Sequence, residues 1–195
     1  MASRLTGFWK LNKKKCTPQR DVLKIMGRRS WELSAIDQAD ENFCILHFQK
    51  KMEDGKIINY LEKFVVIYLD SSILKLLAAI FPVDVDKVQY SHKLVANNKE
   101  KKHDEDEKQF GPCSSRTTWE KNHEGHEGFT IRWYIRRGIL KVFHFINKNN
   151  ELQVELEMTN AKGEVGKAVK IYDRQVMPED RQKYIDTLPY KNELV

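Results

Sequence analysis

Paired cysteines are missing from this sequence. Cys16, Cys44 and Cys113 are an odd number and lie far apart, with no C-x-x-C spacing, which excludes a zinc ribbon or dithiol redox centre built on thiols. Reduced thiols in a cytosol are the expectation. Long apolar runs are equally scarce. The greasiest, ILKLLAAIF from Ile73 to Phe81, is broken by Lys75 and is too short to cross a bilayer as a helix. No apolar signal core followed by small residues stands near the start, so a soluble cytoplasmic protein is expected. There is no G-x-S-x-G, no phosphate-binding loop and no pair of carboxylates within an apolar run, so no enzyme is expected, and no cofactor. HEGHEG (His123 to Gly128) lacks the helical H-E-x-x-H spacing; its glycines predict a hairpin loop and no metal.

What is present is charge, unevenly placed. The formal net charge is +6 over 195 residues. Residues 1 to 31 carry nine Lys or Arg against the single acid Asp21, which leaves −2 for the rest. Basic charge gathered at one end favours contact with an anionic surface there, and argues against nucleic acid as a partner. The tryptophans Trp9, Trp31, Trp119 and Trp133 suit core packing better than a base-stacking platform, since only FTIRWYIRRG interleaves aromatic and basic residues.

Alternation of apolar and polar residues dominates the chain. ELQVELEM puts Leu152, Val154, Leu156 and Met158 on one face and Glu151, Gln153, Glu155 and Glu157 on the other. Strands are predicted at Phe43 to Phe48, Lys56 to Leu61, Val85 to Val95, Ser115 to Glu120, Phe129 to Arg136, Ile139 to Ile146, Glu151 to Met158 and Lys167 to Asp173. The opening strand around Trp9 and one more drawn from Phe64 to Phe81 bring the number to about ten, although Ile73 to Phe81 also suits a helix. Two short helices fall between the first two strands: one capped by Thr17, with Pro18 in its first turn and Gly27 at its end, and one capped by Ser30 and carrying Trp31 and Ala35. NNKEKKHDEDEKQ, Asn97 to Gln109, has no apolar residue and is expected to be a solvated loop or disordered insertion. A final helix is expected from Pro178 to Thr187, docking Tyr184 and Ile185 outside the sheet.

The predicted fold is all-β: a ten-stranded antiparallel up-and-down barrel with a two-helix lid between the first two strands. It occupies residues 1–174 with a charged insertion at about 97–114, followed by a C-terminal extension over 175–195. This arrangement resembles the intracellular lipid-binding proteins, the fatty-acid-binding and cellular retinoid-binding family within the calycins. The similar residues are Gly7-Phe8-Trp9-Lys10-Leu11, which matches a G-x-W-K-L start; Leu23-Lys24-Ile25-Met26-Gly27 at the end of the first lid helix; Lys56-Ile57-Ile58 followed by Phe64; and Lys170-Ile171-Tyr172 where the family has R-x-Y. Cys16-Thr17-Pro18 replaces the family's N-F-[DE], and lysine replaces the arginine of R-x-Y.

The resemblance implies that Lys170 and Tyr172 point inward and hold a carboxylate, with Arg132 or His144 in the place of a second arginine. Strand alternation alone would instead put Val169 and Ile171 inside and leave Arg132 in solvent, with His144 a core histidine. The function implied is non-catalytic binding and transport of a fatty acid or similar hydrophobic ligand by a monomer. Lys13, Lys14, Lys15, Lys24, Arg28, Arg29 and Trp31 would form a lid that touches anionic membrane transiently. A barrel without ligand, serving as an interaction module, is the alternative; its Glu193-Leu194-Val195 end resembles a carboxylate-docking tail. A haem barrel using His144 would rest on that single histidine.

Overall fold

The computed structural model describes residues 5–28, 40–68, 87–103, 112–189, 191 and 194, with backbone alone at 66–68 and 87–90. Ten antiparallel strands form one sheet. They are β1 Gly7–Leu11, β2 Asp40–Lys51, β3 Ile57–Tyr68, β4 Lys87–Val95, β5 Glu100–His103, β6 Cys113–Lys121, β7 Glu127–Ile135, β8 Gly138–Ile146, β9 Leu152–Asn160 and β10 Val165–Gln175. The sheet runs β4-β3-β2-β1-β10-β9-β8-β7-β6-β5 and curls through 313° as an open half-barrel, with β4 and β5 at its two edges. Every neighbour but β1–β10 is consecutive in the chain, as an up-and-down meander requires.

Alternation was a sound guide to the strands, and the structure mainly lengthens them. Two expectations need correction. The piece from Phe64 does not start a new strand: Phe64 to Tyr68 continues β3, while 69–86 lie outside the described residues. The tenth strand comes from the polar segment expected to be loop, where Glu100–His103 pairs with β6 in the register Glu100↔Arg116 to His103↔Cys113. Backbone hydrogen bonds, an Arg116–Glu100 ion pair and a 2.7 Å bond between His103 Nε2 and Ser115 Oγ hold a strand that buries little. Lysine and glutamate at a sheet edge also discourage pairing with another chain, which explains a strand with no apolar signal.

Among the described residues, no two-helix lid stands between β1 and β2. The described residues there form a 3-10 turn, Lys13–Lys15, and a six-residue helix, α1 (Arg20–Ile25). The second expected helix, with Ser30, Trp31 and Ala35, falls outside the described residues. Thr17 does not cap α1. It extends the sheet instead, its backbone N–H donating to Val169 O and its hydroxyl accepting from Val169 N at 2.7 Å. α1 buries Val22 and Leu23, and Val22 joins Ala168 and Met158. The helix lies so close to β10 that a Cβ on Gly166 would fall 2.8 Å from the backbone of Asp21 and Val22. Gly27, at φ +75°, ends the segment in the left-handed conformation expected of it.

Side chains from opposite parts of the curl meet on its concave face. His47 of β2 stacks on Trp119 of β6 at 4.8 Å and meets Phe129 of β7 edge-on at 5.5 Å. The main core there comprises Leu5, Trp9, Phe43, Ile45, Leu61, Val65, Phe129, Leu152, Val154 and Tyr172. The convex face has its own cover. The C-terminal helix α2 (Glu179–Thr187), begun by Pro178 as expected, places Ile185 against Cys44 and Leu46, with Tyr184, Phe64 and Met177 around them. Tyr184 donates to the almost fully buried Glu62 at 3.2 Å, and Lys93 approaches the same carboxylate at 3.4 Å. Leu194 bridges to Phe48 and packs on this cluster, so the chain end is tied to β2 at that residue.

Candidate functional site

Parity along four strands gathers a charged group inside the curl. On β10, Ala168, Lys170 and Tyr172 share the concave face, because Tyr172 pairs with Leu11 and Leu152, and Lys170 with Val154. On β2, Glu41 precedes Phe43 and Ile45 with the same parity. On β3, Lys63 lies between Leu61 and Val65, and on β8 His144 lies opposite Phe129 and Val154. Five polar side chains therefore enter an apolar interior.

Lys170 Nζ donates to Glu41 Oε2 at 2.6 Å, and the Tyr172 hydroxyl donates to the same oxygen at 2.9 Å. Tyr172 is wholly buried and stacks on Phe43, ring centroids 4.6 Å apart. Lys63 Nζ sits 3.7 Å from the centroid of the same Phe43 ring and 3.1 Å from His144 Nε2. Among the described residues, no carboxylate comes within ion-pair distance of Lys63. Glu41, whose charge acts on Lys63, is already engaged by Lys170 and Tyr172.

The protonation states follow from burial against pairing. Burial pushes Glu41 upward, but Lys170, Lys63 and the Tyr172 hydroxyl together hold its carboxyl below the usual range, so it is ionised. Burial pushes Lys63 down to about 8, with Glu41 opposing that fall and Lys170 adding to it. His144 is held well below its ordinary value by burial, then by the charge on Lys63, and is neutral. When Lys63 is protonated, its ammonium must donate to His144 Nε2, which fixes the neutral ring as an acceptor there. Counted among the described residues of this group, the ammonium groups of Lys63 and Lys170, the Glu41 carboxylate and the neutral His144 ring leave a surplus of one positive charge at neutral pH.

Each residue expected in the site can now be placed. Lys170, Tyr172 and His144 are together in the interior. Arg132 is not: Ile131 and Trp133 take the concave positions of β7, and Arg132 lies on the convex face, its guanidinium bonded to both oxygens of Glu120 at 3.0 and 3.1 Å and to Thr118. Two residues went unforeseen, Glu41 and Lys63. Both were within reach of the alternation argument, since Glu41 shares parity with Phe43 and Ile45, and Lys63 with Leu61 and Val65.

The basic segment expected to form a lid is partly neutralised by its own surroundings. Lys13 pairs with Asp40 at 2.9 Å, and Lys15 bridges Glu151 and Asp173. Lys14 and Lys24 are exposed with no ion pair among the described residues. Arg28 is half-buried and its N–H donates to Leu23 O; Arg29 and Trp31 lie outside the described residues. HEGHEG forms the β6–β7 hairpin, with Asn122 accepting from the Glu124 and His126 N–H groups and Gly125 at φ +86°.

Neither a family model nor a curated protein sequence matches this chain.

Proposed function

We propose that the protein binds a fatty acid or a similar amphipath in the concave interior and carries it without chemical change. The observation behind this reading is the surplus cation, among the described residues, in a largely apolar concavity, a combination that is costly for an empty protein and useful to one that receives an anionic, greasy molecule. The meander topology and the G-x-W-K-L start, now seen as a buried Trp9 on β1, support the likeness to intracellular lipid-binding proteins. Burying a chain of ~16 carbons at about 0.8 kcal/mol per methylene offers on the order of 10 kcal/mol before ordering costs, so chain burial sets affinity and the polar cluster sets orientation.

A ligand-free barrel acting as an interaction module is the second reading. Contacts that cross the interior, His47 on Trp119 and Lys63 on His144, favour it, as does Glu41 filling the place meant for a ligand carboxylate. Native mass spectrometry of protein purified from its own cells, followed by displacement of a fluorescent fatty acid with oleate, separates the two. A co-purifying lipid and stoichiometric displacement support carriage. Absence of any saturable site for fatty acids, retinoids or acyl-CoA gives the interior to the second reading.

A further inference from the structure

The pair expected to grip a ligand's acid group is already gripping one. Lys170 and Tyr172 converge on Glu41 Oε2, so a second carboxylate arriving there would have to displace the first and stand beside it in a buried site. Lys63 is differently placed. Its ammonium has three N–H donors, of which one meets His144 Nε2 while the Phe43 face lies beneath it, and no carboxylate is paired with it among the described residues. His144 is held on β8 between Phe129 and Val154, which directs Nε2 across the curl toward β3.

We propose that Lys63, backed by His144, is the site that receives the ligand's acid group, and that Glu41 sets charge selectivity by occupying Lys170 and Tyr172 from within. The proposal rests on reading the interior as a ligand site. One singly charged carboxylate neutralises the interior; a second negative charge would face Glu41 unopposed. The class of ligand admitted is therefore a long-chain monocarboxylate, with dicarboxylates and phosphate monoesters rejected. The protonation of Lys63 follows the same logic: a carboxylate beside it favours the ammonium, so binding near pH 8 draws a proton from solution.

The test compares palmitate with hexadecanol, which has the same chain and no charge. In the Lys63→Met protein, palmitate is expected to weaken about tenfold and hexadecanol to stay as it was. In Glu41→Gln, palmitate is expected to tighten severalfold as Lys170 and Tyr172 become available, again with hexadecanol unmoved. Calorimetry of palmitate binding to the unmodified protein at pH 8, in buffers of different ionisation enthalpy, needs no variant; uptake of about half a proton is expected for a group titrating at that pH. Palmitate binding that takes up no proton, or that ignores Lys63→Met, overturns the assignment of the head-group site while leaving the carrier reading intact. Failure of both palmitate and hexadecanol to bind the unmodified protein overturns both.

Discussion

At the scale of single residues, the part-buried Lys170–Glu41 pair has consequences for stability that are separate from any ligand. Removing one partner leaves an uncompensated, largely desolvated charge, which costs up to about 3 kcal/mol at this partial exposure, whereas removing both with apolar residues of similar size is far milder. Urea unfolding should therefore show Lys170→Met strongly destabilised and Lys170→Met/Glu41→Leu largely restored. Additive losses in the double variant would mean the pair is solvated. Lys63 supplies a pH signature: its folded value, about 8, lies below the ordinary 10.5, so between these the unfolded chain holds more protons and stability rises with pH. His144, depressed below 6.5, adds the same sign at lower pH, and Glu41, depressed below 4.5, loses its stabilising effect as pH falls through its folded value. In Lys63→Met, the slope between pH 8 and 10.5 should shrink; an unchanged slope would place Lys63 in water. Only the resemblance to an R-x-Y pattern turned Lys170 and Tyr172 inward; strand alternation read by itself would have put Val169 and Ile171 there. Neither gave a direct sign that the carboxylate they meet is the chain's own, because Glu41 and Lys170 are 129 positions apart and only the β2-β1-β10 order brings them together.

Among the elements, those whose burial is one-sided were readable and those held by their neighbours were not. β9 alternates cleanly because one face meets the core and the other meets water, and α2 announces itself by Pro178 and by Tyr184 and Ile185 one after the other. β5 and the Thr17 extension escape such reading, since backbone pairing with β6 and β10 determines them and their side chains bury little. α1 tests the packing argument. Gly166→Val would drive a side chain into the Asp21–Val22 backbone, so overpacking should cost about 1–3 kcal/mol and hydrogen exchange at Val22 and Leu23 should accelerate. Exchange as slow as in the parent would mean that α1 does not rest on β10. For α2, Ile185→Ala should cost about 2–4 kcal/mol and speed labelling of Cys44, a buried thiol that burial holds at about 11 and whose Sγ is 3.6 Å from Met177 Sδ. Unchanged labelling would show that something other than α2 shields that cysteine.

For the whole molecule, the placing of charge bears on where ligand would be exchanged. The basic end of the chain is less bare than its composition suggests, since Asp40 answers Lys13, and Glu151 with Asp173 answers Lys15. A paired lysine attracts an anionic bilayer less than a single one does, and each basic group near the surface contributes about 1 kcal/mol. On the carrier reading, Asp40→Asn should strengthen binding to phosphatidylserine vesicles up to about fivefold at low salt, and Lys14→Glu/Lys24→Glu should weaken it; vesicle sedimentation reads both. Indifference to all three changes would mean that the basic segment between β1 and β2 does not face a membrane. The central claim, that the concave interior takes up a lipid chain, is tested most directly by the tryptophans that line it. Trp9 and Trp133 are buried, and Trp119 packs against the same core. Bromine on a fatty-acid chain quenches indole emission only at contact. In Trp31→Phe protein, whose emission comes from Trp9, Trp119 and Trp133 alone, titration with dibromostearate should quench the emission saturably at one ligand per chain, and oleate should reverse it. Emission that does not respond, or that falls linearly without saturation, would contradict a lipid bound inside the curl.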